Sequence, residues 1–541
     1  MRCFRGRTTS RASARWVSTT AEGGSAKTVA PLTPWQRASN TVAGAFASAE
    51  ARVASRVLFT ARSSSIAERP KPGGLGGRAL FDEAVASSAS GGVDSTAAER
   101  LLELTLAHTA AAVPVPSLEF PPRCDPEPAA VAAEAAALAM GSGRNAGAWA
   151  DDPTSAELHV ATLDALAEAL RLPRQYQWAV GPGCGLNHPS EEEALLFALT
   201  AARMAAQLGG EMATAVKRFQ QPGVDTRNLT VYCHPQQQPF VSRVCRFAGI
   251  ERVRCPTAAL VGTRGNYRVS PDDFAALIEE DVARGFKPLM LIGSFGPLRG
   301  TCTVDDVPML GAVAANARLW LHLDAGFGGA AGALAETEAG PSAALAMELE
   351  HACDAANSIH VNAGRWLALG RPHETQLYFA DRRAAAVALR GQKTEASQRH
   401  DAGAYIPDAL ELGRFRMSEL EAPLSTARMA AGLLNMSAVR ERALRQLKAS
   451  ALLDEMLRGD ALFEVPVDTT PFATVMFRPR LVSPDVTNAM LKRLEATAFR
   501  VSKADVSSGR LLVCCLAGTH EVADPARTAA AIFAALREAR V

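Results

Sequence analysis

No apolar run in this chain reaches the roughly 18–20 residues that a bilayer-spanning helix needs, so no transmembrane helix is expected. Its ten cysteines include no CxxC pair, which removes the common signature of a zinc site or a dithiol redox site. Scattered thiols buried in a reducing compartment are the expectation instead. Excess charge is lacking too. A formal net charge of +1 argues against a nucleic-acid partner held by bulk charge. Two local absences matter more: there is no acid before Glu22, and no lysine anywhere between Pro288 and Gln392. What is present is 541 residues, 48% of them hydrophobic, enough for more than one domain and a substantial core.

The acid-free start carries Arg2, Arg5, Arg7, Arg11 and Arg15 among many Ser and Thr. That composition predicts a mitochondrial (matrix) presequence over residues 1–21, with a plastid transit peptide or a basic tail as alternatives. Residues 22–94 are rich in Ala, Ser and Gly and are broken by Arg69-Pro-Lys-Pro-Gly-Gly-Leu-Gly-Gly77, reading as an extension or linker. A helical segment follows within 95–145, where Leu101, Leu102, Leu104, Leu106 and Ala110 precede Pro114 and Pro116.

From residue 146 the pattern alternates. Pro153 opens a helix to about Leu170, and Glu191–Leu208 forms a second. Strands are expected at Asn228–Cys233, Arg252–Cys255, Pro288–Phe295 and Leu319–Asp324. Helices between them are expected at Phe240–Ala248, from the Ser270-Pro-Asp-Asp273 cap to Arg284, and at Val304–Asn316. Alternating β and near-continuously apolar strands mean an α/β domain, residues 146–420, with a mainly parallel sheet covered on both faces. Residues 421–541 read as helix over Ala422–Leu457, then strand, helix, strand, strand, helix. That is a small α+β domain.

The strand Arg318-Leu-Trp-Leu-His-Leu-Asp-Ala-Gly-Phe-Gly-Gly329 delivers Asp324 to the carboxyl edge of the sheet, where ligands of open α/β sheets collect. By itself it also fits a strand end whose Asp caps the next turn. Downstream stands Asn357-Ser-Ile-His-Val-Asn-Ala-Gly-Arg-Trp-Leu367. Together the two stretches resemble the paired signatures of the group II pyridoxal-phosphate (PLP) decarboxylases, the aromatic-amino-acid and glutamate type. The resemblance covers roughly residues 95–541. It implies a fold-type I PLP-transferase-like large domain with a seven-stranded-type sheet, and a dimer with its N-terminal segment packed across the partner. It also implies that Asp324 pairs with the pyridine nitrogen.

Other positions depart from the family pattern. Asn362 and Trp366 are kept, but Gly364 stands in place of a His and Arg365 in place of the Schiff-base lysine. Arginine stays protonated and is a very weak nucleophile, so it forms no aldimine. Where the family opens its phosphate-binding helix with small and hydroxyl residues, this chain reads Pro189-Ser190-Glu191-Glu192-Glu193-Ala194. Carboxylates there suit a helix N-terminus but repel a phosphate. Gln238 matches the ring-stacking His, with His234 nearby, and Pro297 replaces a hydroxyl in the family's Thr-x-Gly-Thr-Thr turn. The mobile loop expected between Arg382 and Tyr405 offers no tyrosine but Tyr405. His351 and His360 lack ligand spacing and are read as structural, so no metal is expected.

The function expected is therefore that of a catalytically degenerate homologue without cofactor, a homodimer or a subunit of a larger mitochondrial assembly. The alternatives are an active PLP-dependent amino-acid decarboxylase and a non-covalent small-molecule binder in the old pocket. Within that pocket Arg365 is expected to neutralise Asp324, with Glu192 as the competing partner.

Overall fold

The computed structural model describes residues 117–118, 120–122, 133 and most of 153–540, except 208–227, 262–265, 299–300, 335–340, 390–420 and short gaps at 481–483, 498, 507–508 and 518–521. The expected presequence and linker, most of the 95–145 segment and most of the 382–405 loop lie outside the described residues.

In chain order the large domain comprises β2 (Cys184–His188), β3 (Leu229–Tyr232), β4 (Arg252–Arg254), β7 (Lys287–Leu298), β9 (Trp320–Asp324), β10 (Ser358–Val361) and β11 (Thr375–Phe379). They form one sheet in the order β2-β11-β10-β9-β7-β3-β4, with β8 (Thr301–Val304) paired to β7. Pairing is parallel from β10 through β9, β7 and β3 to β4, and antiparallel at β11 and β2. A separate hairpin joins β5 (Ala259–Val261) to β6 (Asn266–Arg268). The mainly parallel α/β architecture is as the alternating pattern requires. The strands at the antiparallel end, β2 and β11, carry no βα alternation and were not expected.

Helices cover both faces: α1 (Pro153–Ala169), α2 (Glu191–Gln207), α3 (Gln238–Phe247), α4 (Pro271–Ala283), α5 (Val307–Ala317), α6 (Pro341–Ala355) and α7 (Arg382–Leu389). Their starts follow local chemistry. The Ser270 hydroxyl accepts from the Asp272 N–H and the Asp306 carboxylate from the Met309 N–H, and a proline follows each cap. The expected helix at Val304–Asn316 begins later because Val304 ends β8. β7 also runs past Phe295 to Leu298, so the Ser294–Leu298 stretch, expected as a turn, is strand.

The small domain holds α8 (Glu421–Leu434), α9 (Met436–Gly459), β12 (Phe463–Glu464), β13 (Thr474–Pro479), α10 (Pro484–Thr497), β14 (Arg500–Val506), β15 (Gly509–Cys515) and α11 (Pro525–Arg540). One helical expectation, 422–457, is two helices. The break falls at Asn435, the residue that precedes α9. Helix α9 fastens the domains together. Arg442 Nη2 donates to the Leu367 carbonyl at 2.8 Å, Arg440 Nε to the Ala333 carbonyl at 2.8 Å, and Trp366 Nε1 to Gln446 Oε1 at 3.2 Å. The short strand β1 (Ser117–Leu118) joins the small-domain sheet in parallel with β14.

Candidate functional site

Register places Asp324, at the tip of β9, between Ser294 of β7 and His360 of β10. Leu321, His322 and Leu323 before it are buried, while the Asp324 side chain keeps 14% exposure. Both carboxylate oxygens are used. Oδ1 is 2.9 Å from His360 Nε2 and accepts from the Gly326 N–H at 3.1 Å, and Oδ2 accepts from Gln237 Nε2 at 2.6 Å.

Behind His360 runs a buried chain. His360 Nδ1 lies 2.9 Å from His322 Nε2, and His322 Nδ1 lies 2.8 Å from Ser358 Oγ. The two imidazoles stack at 5.1 Å, and Trp320 Nε1 donates to Ser358 Oγ at 2.8 Å. Burial alone would lower the pKa of His360, but the Asp324 carboxylate outweighs it and the net direction is up. Burial would conversely raise Asp324. His360, the Gly326 N–H and Gln237 reverse that and hold it below the usual carboxylate range. His322, buried beside His360 as it gains charge, is lowered to about 3 and stays neutral. A protonated His360 donates from both nitrogens, which fixes His322 with its proton on Nδ1, aimed at Ser358.

Arg365 is on the segment after β10 and faces the same cleft, as the resemblance implies. Its expected pairing with Asp324 is overturned, however. Arg365 instead grips Glu191, in the first turn of α2, with Nη1 to Oε1 at 2.7 Å and Nη2 to Oε2 at 2.9 Å. The two side chains are 20% and 18% exposed. Glu192, the competitor expected, points outward to Arg243 at 2.5 Å. The reason is local. His360 and Gln237 already satisfy Asp324, whereas the Glu191 carboxylate is open to a planar guanidinium, which matches it two bonds at a time.

Ser190 is the hydroxyl at the α2 start, accepting from the Glu193 N–H at 3.2 Å. Gln238, matched to the ring-stacking His, opens α3 and is exposed, so the glutamine that enters the site is its neighbour Gln237. Pro297 lies within β7, opposite Cys302. Asn362 is buried, and its side chain holds the loop by donating to the Pro372 carbonyl at 2.9 Å and accepting from the Gly364 N–H at 3.1 Å. Gly364 admits no side chain there: a Cβ would lie 2.3 Å from the Arg371 carbonyl oxygen. Trp366 is fully buried and stacks on Phe327 at 5.2 Å. His351 is exposed on α6, and among the described residues no group of three or more His, Cys, Asp or Glu could hold a metal. Sequence reading missed Gln237 and the role of His360. The register of β10 against β9 could have revealed His360, since it sets the two side chains beside each other.

Gly326 is where the charged groups meet. A Cβ at that residue would lie 2.9 Å from Glu191 Oε1, 3.2 Å from His360 Nε2 and 3.3 Å from Asp324 Oδ1. Gly326→Ala is therefore expected to displace the Glu191 carboxylate and to cost about 1–3 kcal/mol, the scale of overpacking in a filled interior. Urea titration checks this, and the loss should shrink when Glu191 is also shortened to Ala.

The pyridoxal-dependent decarboxylase conserved domain matches residues 128–372. The chain is 27% identical over 367 residues to 3,4-dihydroxyphenylacetaldehyde synthase of Drosophila melanogaster, covering 66% of each. It is 29% identical over 345 residues to tyrosine decarboxylase of Oryza sativa subsp. japonica, covering 61% of this chain and 58% of that enzyme. The matched segment thus spans about three fifths to two thirds of these two relatives' length. Among solved structures, Oryza sativa TDC with PLP and tryptamine superposes with a TM-score of 0.68 at 20% identity, covering 95% of this chain and 99% of that one. Mouse CSAD gives 0.63 at 15% identity, with 90% and 99% covered. At these identities the structural likeness speaks for the fold.

Proposed function

We propose that this chain is a degenerate member of the group II pyridoxal-phosphate-dependent decarboxylase family which works without the cofactor, as a structural or interaction subunit in mitochondria. The conserved-domain match over residues 128–372 and the relatives named above support the membership. The observation that carries this reading is the Arg365–Glu191 pair. It joins the position of the missing amine to the helix start where the family binds phosphate, so each damaged position neutralises the other. Family members use PLP, but the residues here do not fit it. No amine stands at Arg365, the helix start presents carboxylates, and Asp324 has its oxygens engaged by His360, Gln237 and Gly326. Bound PLP would supply an electron sink for carbanion chemistry.

Two features favour the rival reading of an active decarboxylase: Asp324 remains at the strand tip, and the relatives named above are enzymes. Absorbance decides. A chain purified in excess PLP is expected to stay colourless after desalting, and a persistent near-violet band would overturn the proposal. A retained colourless small molecule, found by mass spectrometry of the native protein, would favour the binder reading instead. The subunit role, as homodimer or part of a larger assembly, is tested by sedimentation and by pull-down from isolated mitochondria. Import of the full chain into mitochondria with loss of the arginine-rich start tests the location. Uptake by plastids instead would replace it.

A further inference from the structure

Cys233 and Cys255 stand 22 residues apart in sequence, yet their Sγ atoms lie 3.5 Å apart. The sheet brings them there. β3 and β4 pair in parallel with Tyr232 opposite Arg254, and the Cys233 N–H donates to the Arg254 carbonyl at 3.1 Å. One residue on, the two cysteines leave the strand ends side by side. Neighbouring strands are about 4.7–4.9 Å apart, inside the Cα separation of about 4.4–6.8 Å that a disulfide bridges. In a disulfide the two sulfurs close from 3.5 Å to about 2.05 Å.

We infer that Cys233 and Cys255 form a reversible dithiol–disulfide pair, oxidised by a hydroperoxide, that ties the edge strand β4 to β3. Their environments divide the work. Cys255 is partly exposed while Cys233 is fully buried. The hydrogen bond from Cys233 lowers the Cys255 thiol, and burial pushes the Cys233 thiol well up. The Cys255 thiolate attacks the peroxide, the O–O bond breaks, and sulfenic acid forms while the departing hydroxide takes up the proton that the thiol had released and leaves as water. Cys233 then loses its proton and its sulfur displaces hydroxide from the Cys255 sulfur, which leaves as a second water. Two thiols are oxidised by two electrons and hydrogen peroxide is reduced to two waters. The pair also adjoins the cleft. Cys233 precedes the His234–Gln237 turn, in which Gln237 Oε1 accepts from the His234 N–H at 3.2 Å and Gln237 Nε2 reaches Asp324.

The full chain is treated with stoichiometric hydrogen peroxide, alkylated under denaturing conditions and mapped by mass spectrometry. The expected result is a Cys233–Cys255 cross-linked peptide as the main oxidised product, reversed by dithiothreitol and lost in Cys255→Ser. That substitution is nearly isosteric at a partly exposed position, and mapping the unaltered chain does not depend on its folding. Cys233 and Cys255 both alkylated after peroxide treatment, Cys255 found as sulfinic acid with Cys233 still alkylated, or a dominant link from either to Cys245 would each overturn the inference.

Discussion

Arg365→Ala is expected to lower the thermal midpoint by several degrees, and Arg365→Lys is expected not to bring back cofactor binding. Removing the guanidinium leaves the Glu191 carboxylate facing the cleft with its bidentate partner gone. Breaking a fully buried ion pair costs about 3–5 kcal/mol, and a pair with about a fifth of each side chain exposed should fall nearer 2–3 kcal/mol. The cost comes from the stranded charge, so Glu191→Gln combined with Arg365→Met should restore most of the loss. Circular dichroism melts of the single and double variants check this. An unchanged midpoint in Arg365→Ala would mean that water already solvates Glu191. The lysine variant separates stability from chemistry. An ammonium there can still pair with Glu191, which keeps it protonated and unreactive, and the carboxylates of the α2 start still repel phosphate. Visible absorbance with added PLP would show that the helix start accepts the anion after all. Restoring the family's His at Gly364 would not help, because its Cβ would strike the Arg371 carbonyl.

The second large effect is a pH dependence set by Asp324 and His360. The folded-state pKa of His360 is raised, so the stability it contributes is fully present below its unfolded value, about 6.5, and is lost as pH rises through the folded value. Asp324 is depressed, so its contribution is present above its unfolded value, about 3.9, and is lost as pH falls through the folded one. Both contributions are complete only between about pH 4 and 6.5. Buried His322 and His234, lowered to about 3 and about 4, cost stability of their own as pH falls below about 6.5. The pair's share is therefore read as the difference in urea midpoint between the unaltered chain and Asp324→Asn, which should be largest in that window and decline above it. Asp324→Asn should remove the alkaline decline, since a neutral amide no longer holds a proton on His360. Asp324→Ala should cost about 2–4 kcal/mol in that window, because the buried His360 must give up its proton and both its ring N–H and the Gln237 amide lose their acceptor. A pH-independent difference between the unaltered chain and Asp324→Asn would show that His360 is neutral when folded.

Much of this protein was determined by the sequence alone. Near-continuous apolar strands between capped helices specify a parallel sheet, because only a strand buried on both faces tolerates such a run. The resemblance of two short stretches located Asp324 and Arg365 on one cleft, and the absent lysine is a matter of covalent chemistry that no fold can supply. The C-terminal domain was legible for the same reason as the sheet, its periodicities being local. Tertiary structure decided the partners. Arg365 chose Glu191 over Asp324 because His360 and Gln237, from two other segments, had already taken the carboxylate. Gln237 rather than Gln238 turned inward because α3 begins at Gln238 and carries that side chain to the surface. Two cysteines without a motif became neighbours through strand register. Each of these is a competition among side chains brought together from distant parts of the chain, and its outcome depends on distances that no linear spacing encodes.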